Sequence, residues 1–358
     1  MAFIHVIIPV YNAKKYLREA VQSVLAQPCK DIEIILVNDG STDGSADLCD
    51  ELAAEESRIS VIHQQNRGVS AARNAGIEKV LERGTDGYIA FLDADDMWAD
   101  DFLDENTYAH LCEGYDLVGF LSASCNSLVT RRTQISPMKD GIYKGGNKSV
   151  WITARQHFGA AFYRVVPLAQ YRICFPVGIK DNEDWMFAMQ FKYVADRLCL
   201  VNKLLYLYRN NRTSVTHKNV PAILKYVPMI HAYLSLDKSM QQYKDENRGV
   251  LSEGRAMAAV YIVDVFEEHY KQLGSKRALD KMMKENPEFE ELITSPFAIN
   301  RPDSGLRWQK MQAHPVRFRI RYNLKGIVFY PLQKVYRFLS GIAPIAKYLD
   351  RVRYPIEI

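Results

Sequence analysis

The chain has 358 residues, is 48% hydrophobic and 25% charged, and carries a formal net charge of +4. That length and apolar content bury a sizeable core and exclude a disordered chain. No uninterrupted apolar run reaches the roughly 18 residues of a membrane span, which argues against an integral membrane protein.

The opening MAFIHVIIPVYN reads as a buried first strand rather than a signal peptide, since no small-residue cleavage site follows it. Short apolar strands are predicted at Phe3–Val10, Ile32–Val37, Ile59–His63, Tyr88–Leu92 and Leu117–Phe120. Between them, helix-period faces cover Lys14–Ala26, Ser45–Glu56, Ser70–Leu81 and Asp101–Cys112. In the first of these helices Leu17, Val21, Val24 and Leu25 form one stripe. Strands alternating with such helices predict a mostly parallel sheet covered on both faces, with ligands at the carboxyl ends of its strands. Residues 121–175 are less regular, with Trp151–Phe162 read as a helix or a helix plus strand. Ile179–Tyr193 is expected to pass from loop to amphipathic helix, and Leu204–Tyr208 to form a short strand. Ala222 to about Lys284 has a helical pattern. Cys29, Cys49, Cys112, Cys125, Cys174 and Cys199 lack metal or redox spacing and read as thiols in a reducing compartment.

Polar signatures fall at the expected strand ends. Pro9 can stop the first strand, and Tyr11 can offer its ring to a planar base. Asp39 can accept from a base imide or a ribose hydroxyl; Gly40 and Gly44 allow tight turns, and Asp43 or Ser45 can cap the next helix. Asn66-Arg67-Gly68 precedes Ser70, Arg73 and Asn74, which share a helix face near its start, where Arg73 can fork onto phosphate oxygens. Small Ala71, Ala72, Ala75 and Gly76 let that helix approach the sheet. Asp93-Ala94-Asp95-Asp96 crowds three carboxylates at a strand end, a conflict that a hard divalent cation, Mn2+ or Mg2+, would relieve. Asp95 is the expected direct ligand, Asp93 a ligand or ribose contact, and Asp96 a helix cap. Neither GxGxxG after the first strand nor GxxxxGK[ST] anywhere is present, which weakens dehydrogenase and phosphate-loop readings.

In their order and spacing, Pro9-Val10-Tyr11-Asn12, Val37-Asn38-Asp39-Gly40-Ser41, Asn66-x-Gly68, Ala72-Arg73-Asn74-x-Gly76 and Asp93-Ala94-Asp95-Asp96 resemble family 2 glycosyltransferases over about residues 3–215. The resemblance implies an α/β glycosyltransferase A fold with a mixed, mostly parallel central sheet, followed by a helical C-terminal region. It also implies inverting transfer of a single sugar from a nucleotide diphosphate sugar, by precedent UDP-linked. The acceptor would be a saccharide or lipid-linked saccharide in surface glycan synthesis, and the enzyme cytoplasmic, at the inner face of the cell membrane. By analogy Tyr11 and Asp39 contact the base, Asn66 belongs to the donor loops, Arg73 lies near the diphosphate, and Asp93 and Asp95 serve ribose and metal. Asp184, with Glu183 as its alternative, resembles the catalytic base. Arg212 resembles a late phosphate-closing residue, and His217 stands where it can complete the metal site. The QxxRW of processive relatives is missing, favouring one sugar per encounter. The competing readings are a metal-dependent nucleotidyltransferase and a non-catalytic sugar-nucleotide or glycan-binding module.

The expected divisions are a catalytic domain at 1–215, a helical extension at 216–300 and a basic tail at 301–358. From Pro315 to Ile358 nine basic residues face two acidic ones, a charge of +7 that leaves −3 for the rest of the chain. Basic and aromatic groups alternate in Arg317-Phe318-Arg319-Ile320-Arg321-Tyr322, a pattern suited to an anionic membrane surface. Docking on its own domain or a subunit is the next reading, which leaves a homo-oligomer open; nucleic acid is not expected.

Overall fold

The computed structural model describes residues 2–84, 86–100, 102–126, 129–131, 141–144, 158–179, 182–209, 227–235 and 284–287. β1 (Ile4–Val10), α1 (Leu17–Leu25), β2 (Ile32–Asp39), α2 (Ser45–Glu55), β3 (Ile59–Gln64), α3 (Val69–Arg83) and β4 (Tyr88–Phe91) follow one another as the sequence periods require. Then come β5 (Met97–Trp98), α4 (Glu105–Cys112), β6 (Leu117–Asn126), β7 (Val129–Arg131), β8 (Gly141–Lys144) and β9 (Ala161–Arg164). α5 (Val165–Tyr171), α6 (Glu183–Val194) and β10 (Arg197–Arg209) complete the set, with a further helical stretch at 227–235.

One sheet has the order β3-β2-β1-β4-β9-β6-β10-β5, with β7 beside β6 and β8 beside β10. β1 to β4 are mutually parallel, and β10 is parallel to β6; β9 runs antiparallel between β4 and β6, so the sheet is mixed but mostly parallel. The near-continuous apolar run of β1 follows from burial on both faces. Ile4, Val6, Ile8 and Val10 join a core with Leu17, Val21 and Val24 of α1 and Leu48 and Leu52 of α2. Ile7 joins the opposite core with Ala72, Ile77 and Val80 of α3 and Phe187 and Phe191 of α6. The small-residue face of α3 is needed here: a Cβ on Gly76 would lie 2.5 Å from Ile7 Cγ2.

Several boundaries depart from expectation. β1 ends at Val10 as predicted, yet Pro9 does not stop it, because its missing N–H points toward β4, whose pairing has ended at Ile7–Phe91. α6 is buried from Met186 through Val194 rather than amphipathic, even Gln190 and Lys192 being covered. β10 is a strand of 13 residues with register shifts, longer than the predicted Leu204–Tyr208.

By backbone proximity the chain divides into two units, Met1–Val265 and Phe266–Ile358. All the labelled elements belong to the first, and the second is described only at 284–287. The divisions expected after residues 215 and 300 and the basic tail lie outside the described residues. No described helix is long and apolar enough to cross a membrane. Cys29, Cys49, Cys112, Cys174 and Cys199 form no disulfide.

Candidate active site

β1, β2, β3 and β4 end at one edge of the sheet, so their following loops gather there. Pro9 is half-buried, whereas Tyr11, just past the β1 tip, is 54% exposed. The first two loops are tied together: Asn12 N donates to Ser41 Oγ at 3.1 Å, and Thr42 N to Asn12 Oδ1 at 2.8 Å. Asp43 Oδ1 accepts from Ser45 N at 2.9 Å at the start of α2. Gly40 has φ +69°, and a Cβ there would lie 2.8 Å from the backbone nitrogen of exposed Asn66. Only glycine fits that turn.

Asp39 is buried, and its carboxylate closes the Asn66–Gly68 loop. Oδ1 accepts from Gln64 Nε2 at 2.7 Å and Arg67 N at 2.9 Å, and Oδ2 from Gly68 N at 2.9 Å. A carboxylate thus stands at the start of α3, where unsatisfied N–H groups and the helix dipole favour an anion.

One turn into α3, Arg73 is 3% exposed. Its Nη2 donates to Asp93 Oδ1 at 2.7 Å and its Nη1 to Glu183 Oε1 at 3.1 Å. The guanidinium lies over the rings of Phe158, 4.5 Å to the centroid, and Phe175, 5.1 Å. Burial opposes its charge, yet Asp93 and Glu183 outweigh that and hold it more firmly protonated than usual. Burial also raises the Glu183 carboxyl; Arg73 works against this shift and Asp184 adds to it. Asn74, on the same face, exchanges two bonds with the Phe175 backbone, at 2.8 and 2.9 Å, which anchors the loop before α6. Arg73, expected to meet phosphate, is therefore engaged with two carboxylates.

Asn182, with φ 64°, starts α6 and sets Glu183 and Asp184 in its first turn. Asp184 is half-buried, and among the described residues the only hydrogen bond to its carboxylate comes from Trp185 N, at 2.6 Å to Oδ1. Adjacent in sequence, the two carboxylates have different surroundings.

The acidic turn after β4 holds Asp93 and Asp95 half-buried and Asp96 buried. Asp96 is not a helix cap. Its Oδ2 accepts from Tyr206 Oη at 2.6 Å and its Oδ1 from Arg209 N at 2.7 Å, while Asp104 caps α4 by accepting from Thr107 N. Burial, then the charge of Asp93, pushes the Asp96 carboxyl up to about 8, with Asp95 adding to the shift. Among the described residues no group of three or more His, Cys, Asp or Glu side chains is arranged to hold an ion. A magnesium-type cation needs no such cage, since one or two carboxylates plus substrate phosphates suffice. Asp93 and Asp95 offer that hard-oxygen set.

Arg212 and His217 lie outside the described residues. The structure joins Asp93, Arg73, Glu183 and Asp184 in one cluster, and Asp39 reaches it through α3. Tyr206 and Arg209 were not foreseen: more than 100 residues separate them from the acidic turn, and their only sequence trace is a carboxylate surplus that demands partners.

A mixed, mostly parallel sheet with polar loops and an acidic turn at its carboxyl edge is an α/β architecture of the glycosyltransferase A type. Residues 5–172, somewhat less than half of the chain, match the model of glycosyl transferase family 2. It is 32% identical to the uncharacterized glycosyltransferase EpsJ of Bacillus subtilis, over 60% of this chain and 62% of the relative's length. To the putative glycosyltransferase EpsH of the same organism it is 27% identical over 83% of this chain and 89% of the relative. The chain thus spans less than two thirds of the first of these. In fold it resembles S. aureus TarS residues 1–349, solved in complex with UDP-GlcNAc, with a TM-score of 0.61 and 18% identity, covering 87% of this chain and 92% of that one.

Proposed function

We propose that the chain transfers one sugar, with inversion, from a nucleoside diphosphate sugar to a hydroxyl of a saccharide or lipid-linked saccharide. The observation that carries this reading is the cluster in which Arg73 binds Asp93 of the acidic turn on one side and Glu183 on the other. This pairing of Asp93 with Glu183, next in sequence to the proposed base Asp184, supports a shared site.

The two halves of the reaction divide between these carboxylates. Asp184 takes the proton of the acceptor hydroxyl as that oxygen bonds to the anomeric carbon, and the bond from that carbon to the diphosphate oxygen breaks. The electron pair leaves with the nucleoside diphosphate. Asp184 suits the role because its one described donor is its neighbour's N–H, whereas Glu183 is committed to Arg73. A base acts when within hydrogen-bond reach of the proton it removes. Asp95 and Asp93 would hold a divalent cation, which supplies charge compensation on the departing diphosphate. Tyr11, exposed at the β1 tip, offers a face to the base. The UDP-GlcNAc complex of the TarS fold supports UDP as the carrier.

The test is a panel of UDP-, GDP- and dTDP-sugars with manganese and mixed free or lipid-linked saccharide acceptors, with products read by mass spectrometry. Release of nucleoside diphosphate with a sugar-extended acceptor is expected. Release of pyrophosphate would instead identify nucleotidyl transfer. Binding of a donor with no transfer or hydrolysis would identify a binding module.

A further inference from the structure

We propose that the carboxyl end of β10 is the positioning element of the acidic turn, with Tyr206 and Arg209 fixing the shape in which Asp93 and Asp95 meet a nucleoside diphosphate. The inference rests on the function proposed above and extends it to residues that no motif marks.

Tyr206 Oη works on both ends of the turn: it accepts from Asp93 N at 3.2 Å and donates to Asp96 Oδ2 at 2.6 Å. Arg209 takes the middle, its backbone N–H donating to Asp96 Oδ1 at 2.7 Å and its Nε to Asp95 O at 2.8 Å. Its Nη2 donates to Glu19 Oε2 on α1 at 2.7 Å and to Met97 Sδ at 3.3 Å, and the guanidinium lies over Tyr16, just before α1, 5.0 Å to the ring centroid. Directly after the turn, β5 pairs with the same strand, Trp98 opposite Tyr206 and Met97 opposite Leu207. The Tyr206 ring has little room to move: a Cβ on Gly159 would lie 2.6 Å from its Cε2.

β10 thus grips the turn by its backbone and by Asp96. The side chains proposed to face donor and cation are the two remaining ones, Asp93 and Asp95. Three acidic side chains are crowded into one short turn; one buried phenol and one arginine hold its backbone in shape before ligand arrives. Such preorganisation shows in ligand affinity, not only in stability.

The test uses the full chain with UDP or GDP and manganese as probes, binding read by calorimetry well below the melting temperature. Tyr206→Phe keeps the ring and removes only the hydroxyl; its Kd is expected to rise about tenfold, the scale of one lost buried hydrogen bond. Arg209→Ala should weaken binding about threefold or more, and Arg209→Lys should recover part of that loss. Tyr88→Phe is the control for a merely structural loss. Its buried hydroxyl bonds Leu111 O and Tyr115 O at the opposite end of the sheet, so it should lower Tm and leave Kd unchanged. If Tyr206→Phe does not fold, Arg209→Ala decides. Wild-type binding with unaltered Kd in both Tyr206→Phe and Arg209→Ala would overturn the inference alone. A wild type that binds neither nucleotide with manganese would overturn it together with the function on which it rests.

Discussion

Glu183 and Asp184 show how one residue step changes chemistry. Glu183 faces a buried cation that also holds Asp93, while Asp184 accepts only from the backbone of Trp185 among the described residues. Asp184→Asn should therefore keep donor affinity within about twofold and lower transfer by roughly 10²–10⁴-fold. Isothermal titration and initial rates on the same sample check both parts; near-normal turnover removes Asp184 from the role of base. Glu183→Gln should do something different. It leaves the enclosed Arg73 with one anionic partner instead of two, at a cost of about 2 kcal/mol or more, because an under-compensated buried charge is expensive. Urea unfolding should show that loss. If Glu183→Gln were instead as stable as wild type and inactive, the two assignments would be exchanged. The candidate residues were legible because each lies within a short motif. Their partners were not: the Arg73–Glu183 bond spans 110 positions, and nothing local marks either end. The arginine expected to fork onto phosphate instead bridges two carboxylates, one hydrogen bond to each.

Elements show the same division between local and distant information. β1 to β4 and α1 to α3 were readable because period and punctuation are local properties. Strand direction is not, so the antiparallel insertion of β9 between β4 and β6 left no trace in periodicity. α6 was misread as amphipathic because a helix enclosed on all sides loses the polar face that betrays orientation. α4 starts later than its acidic run suggested, just after Asp104, which both caps the helix and pairs with a cation. Its Oδ1 accepts from Thr107 N, and its Oδ2 lies 2.8 Å from Lys203 Nζ on β10. The Lys203 bond and that N–H hold the Asp104 carboxyl down at about 2. A depressed folded-state value stabilises the fold above the ordinary carboxyl range near 3.8 and loses that effect as pH falls toward 2. Asp104→Ala should cost about 1 kcal/mol at pH 7, in line with a half-exposed cap and ion pair. The gap between wild type and variant in thermal unfolding should then narrow steadily below pH 4. A gap constant down to pH 3 would mean that packing, not charge, makes the contribution.

On the scale of the whole molecule, charge is distributed against function in an informative way. The carboxyl edge of the sheet and the start of α6 carry Asp39, Asp93, Asp95, Asp96, Glu183 and Asp184, while the last 44 residues concentrate a charge of +7 among aromatic side chains. The proposed transfer to a lipid-linked acceptor would gain from residence where that acceptor is concentrated, and a basic, aromatic segment supplies both electrostatic attraction and insertion. Each cationic side chain near an anionic surface contributes about 1 kcal/mol, so three together amount to roughly 100-fold in binding. The full chain is therefore expected to sediment with phosphatidylglycerol vesicles and not with phosphatidylcholine vesicles. Replacing Arg317, Arg319 and Arg321 together by Gln should weaken that binding about 100-fold while leaving transfer to a soluble acceptor unchanged. Raising salt should weaken wild-type binding in the same direction, because screening shortens the reach of those charges to a few ångströms near 1 M. If the triple variant binds vesicles as wild type does, the basic segment serves a protein surface instead, and a change in oligomeric state on the same substitution would identify that surface as a second copy of the chain.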